Sequence, residues 1–242
     1  MREVIREKVG DEEACPYLPG ERSRMRYRVV EHCAAETYQR MLERGWRRFG
    51  SLFFRPGCLA CHECRSLRVE VGAFRPNRSM RRAWLVNRDL EVVAQPPTTS
   101  REHLALYESY HADMSRRKSW PEKLAEPFDY YLTFVHGRQE FGREILYLLG
   151  DRLVMVALVD VLPRSLSAVY TFYDPALRKR SLGVYSVLRQ IDLARTRALP
   201  HVYLGYWVEG NASMRYKARY QPHEILVGRP ELNERPRWET PS

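Results

Sequence analysis

Three thiols in seven residues, Cys58-Leu59-Ala60-Cys61-His62-Glu63-Cys64, constrain this chain more than any other stretch. A C-x2-C-x2-C spacing lets one loop offer several sulfurs to a single ion, as zinc and iron–sulfur sites do. A fourth ligand is needed, and Cys15 is the first choice because Cys15-Pro16-Tyr17-Leu18-Pro19 is a short loop held by two prolines. Cys33, His32 and His62 are the alternatives, and the opposite reading is a set of thiols packed as small hydrophobes. Spacing alone does not separate zinc from a cluster. The expected metal set is therefore Cys15, Cys58, Cys61 and Cys64, with either group bound.

The knot sits in a basic shell. Between residues 55 and 82 there are seven Arg against Glu63 and Glu70, an excess of +5 out of +10 for all 242 residues. Guanidinium forks bind phosphates and carboxylates bidentately. Positive charge of this size commonly marks a nucleic-acid partner, although an arginine-favouring codon bias has the same effect on composition. The five Cys are an odd number, and Met1 to Lys8 alternates charge without an apolar core. Neither an export leader nor disulfides are expected, and no apolar run approaches the ~18 residues of a membrane span. The expectation is a cytoplasmic protein.

Pattern then divides the chain. A strand is expected near Met25–Val30, a helix from about Ala34 to Arg44 stopped by Gly45, and a strand from Trp46 to Phe54. Leu67, Val69 and Val71 alternate with Arg68 and Glu70 as a half-buried strand does. Ser79 is the expected N-cap of a short helix carrying Arg81 and Arg82. Gln95-Pro96-Pro97-Thr98-Thr99-Ser100 is the best linker candidate, which suggests two domains, 1–97 and 98–242. Beyond it, helices are expected over about 101–114 and 127–136. Two strands meeting at Gly150-Asp151 form a hairpin, and a third follows over Ala168–Tyr173. A helix from Leu182 to Ala198, a strand at Val202–Tyr206, a short helix over Ala212–Tyr220 and a strand at Ile225–Val227 complete the α+β pattern. The tail from Arg229 reads as irregular.

Strand, strand, strand, helix, strand, helix, strand is the order of the N-acetyltransferase (GNAT) acyltransferase fold. In that fold the helix after the third long strand opens with R/Q-x-x-G-x-G/A, whose backbone N–H groups hold a pyrophosphate. Arg180-Ser181-Leu182-Gly183-Val184-Tyr185 is similar, with Tyr in place of a small residue. Basic side chains beside a helix N-terminus favour an anion here, and a solvated basic loop is the plainer alternative.

Several stretches together resemble one family. Cys15 to Pro19, Gly45-Trp46-Arg47-Arg48-Phe49-Gly50, Phe54 through Cys64, and Phe74-Arg75-Pro76-Asn77-Arg78-Ser79-Met80-Arg81-Arg82 resemble the N-terminal domain of aminoacyl-tRNA–protein transferases. Ser167 to Pro175, Ser181-Leu182-Gly183, Tyr203-Leu204-Gly205-Tyr206-Trp207 and Met214-Arg215-Tyr216-Lys217 resemble their C-terminal domain. The bacterial aspartate/glutamate leucyltransferase branch, related to the eukaryotic arginyl enzymes, is the nearest in pattern. Before Met214 the family usually carries Lys where this chain has Ser213, and His111–Glu126 lacks the family's Gly-rich loop.

The resemblance implies transfer of leucine from leucyl-tRNA to an N-terminal Asp or Glu, which creates a degradation signal on the acceptor protein. It implies a GNAT-like domain after a Cys-containing one, and aminoacyl-tRNA as co-substrate with no organic cofactor. The chemistry asks for little: the donor is an activated ester, and an α-amine of pKa about 7.7–8.0 is partly neutral at pH 7. Accordingly, no nucleophile motif is needed. Tyr206 and Tyr216 are the expected catalytic residues. Arg180, Gly183, Tyr185, Tyr203, Trp207 and Lys217 are expected to meet the tRNA end, and Arg47, Arg48, Arg78 and Arg81 the acceptor carboxylate. Arginyl transfer, a coenzyme-A-dependent N-acetyltransferase and a non-enzymatic RNA-binding module are the alternatives.

Overall fold

The computed structural model describes residues 6–120, 126–137 and 139–241. Residues 1–5 of the charged start and 121–125 of the His111–Glu126 segment lie outside the described residues. The chain runs β1 (Arg6–Val9), β2 (Glu13–Ala14), β3 (Arg22–Ser23), β4 (Met25–Val29), α1 (Ala35–Leu42), β5 (Arg47–Phe49), β6 (Leu52–Pro56), β7 (Arg65–Glu70), α2 (Arg78–Val86), β8 (Glu91–Gln95) and α3 (Arg101–Lys118). It continues with α4 (Pro127–Tyr130), β9 (Gly142–Leu149), β10 (Arg152–Leu162), β11 (Ser165–Tyr173), α5 (Leu182–Thr196), β12 (His201–Trp207), β13 (His223–Leu226) and β14 (Trp238–Glu239).

Local chemistry explains most boundaries. Gly150, at a φ of +58°, makes the tight β9–β10 turn that the Gly-Asp pair suggested. Ser100 caps α3 by accepting from the His103 N–H at 3.2 Å. Asn77, not Ser79, caps α2, its side chain accepting from Met80 N at 3.0 Å. The strand expected over Trp46–Phe54 is broken into β5 and β6 by Gly50, which turns at a φ of +53°. The helix expected over Ala212–Tyr220 is a short 3-10 turn, Arg215–Arg219.

The strands form an eight-stranded mixed sheet in the order β14-β13-β7-β12-β11-β10-β9-β8, a four-stranded sheet β1-β4-β6-β5 and the pair β2-β3. Strands β7 and β8 come from before residue 97, so the composition break at the prolines is not an edge of the large sheet. The presumed linker is itself tied down: Gln95 and Thr98 each donate to Glu144 Oε1 at 2.7 Å, and His103 Nε2 lies 3.2 Å from Glu144 Oε2. The tail past Arg229 is also held, because Arg55 and Arg26 both bind Glu231 at 2.5 Å.

One core lies between the large sheet and α2 and α5, centred on Leu67, Tyr147, Leu166, Leu182 and Val202. A second, with Tyr38, Trp46, Phe53 and Phe141, lies under the small sheet. The two sheets meet through a pair of arginines on β5. Arg48 reaches β10, where Nε lies 3.1 Å from Asp160 Oδ2, a second nitrogen bonds Asp160 Oδ1, and the third donates to Gly50 O at 3.0 Å. Arg48 is 7% exposed and Asp160 not at all. Removing one partner of such a buried pair leaves an uncompensated charge, at a cost of about 3–5 kcal/mol. Arg48→Ala should therefore lower the unfolding free energy by that amount, read as a lower urea midpoint at unchanged slope, and the paired change Arg48→Met with Asp160→Leu should recover most of it. Equal midpoints for wild type and Arg48→Ala would show that the pair does not hold the sheets together.

Candidate functional site

The large sheet opens where, among the described residues, its only parallel pairing ends. Strands β11 and β12 pair in parallel at Ser165–His201, Leu166–Val202 and Ser167–Tyr203, and the ladder stops there although both strands continue. The C-terminal ends of parallel strands that part from one another are a favoured place for ligands in α/β sheets. Gly205 sits in the gap at a φ of +83°, next to a register shift against β7. A Cβ there would be strained and would lie 3.6 Å from the Arg47 guanidinium.

Arg47 fills the gap from the side of the small sheet. It donates to Ser167 Oγ at 2.9 Å and also to the Ala168 carbonyl. Lys217, carried on the 3-10 turn, is 8% exposed and donates to the Tyr206 carbonyl at 2.5 Å. Burial, the Arg47 charge beside it and, in opposition, Cys64 bring its ammonium down to about 7. A lysine tuned this way holds or releases a proton near neutral pH. The loop before it is seated on the Cys15 loop, since Asn211 Nδ2 donates to Tyr17 O at 2.8 Å.

The expected site residues divide. Arg47, Tyr206, Trp207 and Lys217 come together at this end of β12. The Tyr206 side chain, however, is buried, with its hydroxyl 2.9 Å from Gly45 O and 3.2 Å from Phe54 O. It anchors the strand, and its backbone carbonyl is what faces Lys217. Burial pushes its phenol well above the ordinary range. Trp207 lies under the Arg65 guanidinium, 4.6 Å from the ring centroid. Tyr216 stands exposed beside Lys217. Tyr203 faces away: Arg68 donates to its hydroxyl at 3.1 Å and Trp238 packs edge-on at 5.4 Å.

The start of α5 is the second part of the site. Ser181, at a φ of 57°, offers no side-chain cap; its carbonyl takes Val184 N and Tyr185 N at 3.0 and 3.1 Å, and the Leu182 and Gly183 N–H groups stand at the helix start without a side-chain cap. Gly183 lies in this first turn. Arg178 and Lys179 are exposed just before it, while Arg180 turns back to donate to Val86 O at 2.5 Å and to pair with Asp89. Tyr185 belongs to the core, edge-on to Trp84 at 5.6 Å and to Tyr147 at 5.8 Å. A Tyr is tolerated where a small residue was expected because its ring points into the sheet. Arg48 is spent on Asp160, and Arg78 and Arg81 are exposed on α2, away from Lys217.

An aromatic chamber beside the free half of β11 was not expected from the sequence. Tyr107, Phe134 and Phe172 surround Tyr170, Tyr130 packs behind them, and the Tyr170 hydroxyl lies 2.9 Å from His111 Nε2. Its residues are scattered over α3, α4, the π-helical segment Tyr131–Val135 that follows it, and β11, and the only sequence signal was the density of aromatics.

Cys64 is pushed up to about 12, first by burial and then by Cys58, Cys15 and Cys61, with Arg229 opposing. Arg229 donates to Cys58 O at 2.7 Å and to Cys61 O at 2.6 Å, and Arg24 N lies 3.5 Å from Cys58 Sγ. Among the described residues no group of three or more His, Cys, Asp or Glu is placed to hold a metal ion. A cavity of about 430 Å³, lined by His62, Cys64, Arg65, Leu226, Arg229 and Glu239, opens on the other side of Cys64.

Comparison with known proteins gives these features a setting. Residues 13–82 match the family model described as arginine-tRNA-protein transferase, N terminus, and residues 102–227 match its C terminus. The aspartate/glutamate leucyltransferase of Campylobacter jejuni is 42% identical over 223 residues, covering 92% of this chain and 93% of that one. The protein of the same name from Helicobacter hepaticus is 37% identical over 229 residues, 95% of each chain. Among solved structures, L-PGS from Bacillus licheniformis superposes with a TM-score of 0.46 at 13% identity, over 66% of this chain and 56% of that one. Both halves, in order and nearly end to end, place the chain in the arginine-tRNA-protein transferase family.

Proposed function

We propose that this protein transfers leucine from leucyl-tRNA to the α-amine of proteins that begin with Asp or Glu. The observation that carries the reading is the likeness to leucyltransferases of Campylobacter and Helicobacter along 92–95% of the chain. The finer fold is part of the same proposal: a Cys-containing N-terminal part, 1–97, followed by a GNAT-like transferase part, 98–242, whose sheet is completed by β7 and β8 of the first part. Its support is the succession β9, β10, β11, α5, β12 with a parallel pairing across α5. A cytoplasmic location belongs to the same proposal, because the proposed donor is a charged tRNA; separately, among the described residues no helix is long and apolar enough to cross a membrane.

In this reading the 3′ end of the tRNA lies at the start of α5, and its ester reaches the gap between β11 and β12. The acceptor amine attacks the ester carbonyl. A C–N bond forms, the ester C–O bond breaks, and the proton lost by the amine ends on the released 3′ oxygen of the tRNA. Lys217 is the group that relays that proton, oriented by the Tyr206 carbonyl. Arg47 is the guanidinium beside it and would draw the acidic side chain of the acceptor toward Lys217. Holding amine and ester together supplies much of the rate, on the order of 7–11 kcal/mol in favourable cases.

The direct test offers the purified protein labelled leucyl-tRNA, arginyl-tRNA or acetyl-coenzyme A with peptides starting in Asp, Glu, Lys or Ala. Leucine should appear on the Asp and Glu peptides only. Acetyl transfer, or arginine in preference to leucine, would overturn the reading.

Lys217 makes a separate prediction. Its amine titrates near 10.5 in the unfolded chain and near 7 in the folded one, so between those values only the unfolded chain holds the proton. Stability should thus rise with pH from about 7 toward 10.5 on account of this group, and be insensitive to it below 7. Lys217→Met should be at least as stable as wild type at pH 7 and lack that rise, while transfer falls about 10²- to 10⁴-fold. Parallel stability curves for the two proteins between pH 7 and 9 would show that the lysine is not held neutral.

A further inference from the structure

The stretch from Phe74 to Arg88 contains Arg75, Arg78, Arg81, Arg82 and Arg88, and no acid. Arg78, Arg81 and Arg82 lie three and four residues apart, and so share one face of α2, where all three are exposed. The other face carries the buried Met80 and Ala83, and Trp84 packs against Tyr185 of α5. Arg81 donates to Pro76 O at 2.6 Å from this face, and the face otherwise turns its guanidinium groups to solvent.

Its position is set by α5. At one end, Asn87 Nδ2 donates to Arg180 O at 2.8 Å and Arg180 to Val86 O at 2.5 Å. At the other, Arg195 reaches Val71 O at 3.2 Å. The two helices are thus antiparallel, and α2 runs for about 13 Å toward the uncapped start of α5. Arg178 and Lys179, both exposed, continue the positive surface to that helix start. The start of α2 lies at the Glu70 end of β7, since Phe74 N donates to Glu70 O at 3.0 Å, and Glu70 pairs with His201 at the far end of β12 from Lys217. A stripe of forks about 5–6 Å apart suits a repeating polyanion, whereas one carboxylate needs one fork beside the reacting amine.

We propose that the arginine face of α2 holds the phosphates of the tRNA acceptor stem and leads its 3′ end over Arg178 and Lys179 to the start of α5. This rests on the leucyl-tRNA reading above and assigns the docking surface within it. Under it, Arg78 and Arg81 serve the donor and not the acceptor carboxylate.

The test compares wild type with the triple variant Arg78→Gln, Arg81→Gln, Arg82→Gln, using two donors: full-length leucyl-tRNA and the leucyl ester of the trinucleotide CCA. The variant should bind full-length tRNA at least about tenfold more weakly, with a slope of log affinity against log salt flatter by about two to three. Its kcat/KM with the trinucleotide donor and its KM for an Asp-starting peptide should match wild type. The triple Arg→Lys variant, which keeps the charge, should keep the slope and controls for any effect on folding. An unchanged slope in the Gln variant, an equal loss with the trinucleotide, or a raised KM for the Asp peptide would overturn the proposal. Wild type that binds no tRNA at all would instead sink the leucyl-tRNA reading on which it stands.

Discussion

The adjacent pair Arg47-Arg48 on β5 joins the two sheets, and the site depends on that joint. Successive residues of a strand point to opposite faces, yet here both long side chains reach the large sheet, one to β11 and one to β10. Each guanidinium leaves water, which is expensive unless its donors are satisfied. Asp160 and Gly50 O satisfy Arg48, while Ser167 and the Ala168 carbonyl each take one bond from Arg47 and hold it in place. The small sheet is therefore docked by directional bonds as well as by apolar contact. Its docking sets where the positive charge of Arg47 falls in the gap beyond Ser167.

The gap follows from topology. Two parallel strands joined through α5 share only three paired positions before they part, and the backbone beyond them needs another source of order. On β12 that order comes from the side: the Tyr206 hydroxyl is fixed to Gly45 O and Phe54 O, Arg47 lies over Gly205, and Lys217 bonds the Tyr206 carbonyl. On β11 it comes from the aromatic chamber around Tyr170. The opening between is thus walled by groups that are themselves held, and such support is what keeps a reacting geometry within tolerance.

How much of this was legible depends on whether the signal was local. The β9–β10 hairpin, β7, α3 and α5 were, because turn chemistry and apolar period act within a few residues. The break at Gly50 was missed, because the run from Trp46 to Phe54 reads through it as one strand, and the cap was set at Ser79 although Asn77, two residues earlier, is as good a cap residue. Gln95 to Ser100 looked like a linker because prolines and threonines are loop residues, while the acceptor that holds it, Glu144, is nearly fifty positions away. The same blindness affected the site. Residue type suggested Arg47 and Arg48 equally, and only the location of Asp160 tells them apart. Cys15 as a candidate partner of the Cys58–Cys64 knot could be read from spacing and prolines. The arrangement of the thiols could not, because it depends on Arg24 and Arg229 from distant segments.

Lys217 shows why a site of this kind needs so little machinery. Burying a lysine beside an arginine costs the fold stability, and nothing in the core requires it, since its one strong bond is to a carbonyl that a water could serve. A group kept at such a cost near the end of a parallel strand is better explained by chemistry than by packing. Aminolysis of an ester moves one proton from an amine to an alkoxide and creates no lasting charge. A single near-neutral amine suffices for that transfer, provided that the two substrates are held. The remaining demand falls on binding: one end of α5 for the donor, one guanidinium for the acceptor, and an aromatic wall between them and water. The abundance of arginine and the absence of a nucleophile motif are then two consequences of the same economy, in which position supplies what a reactive side chain supplies in other acyl transferases.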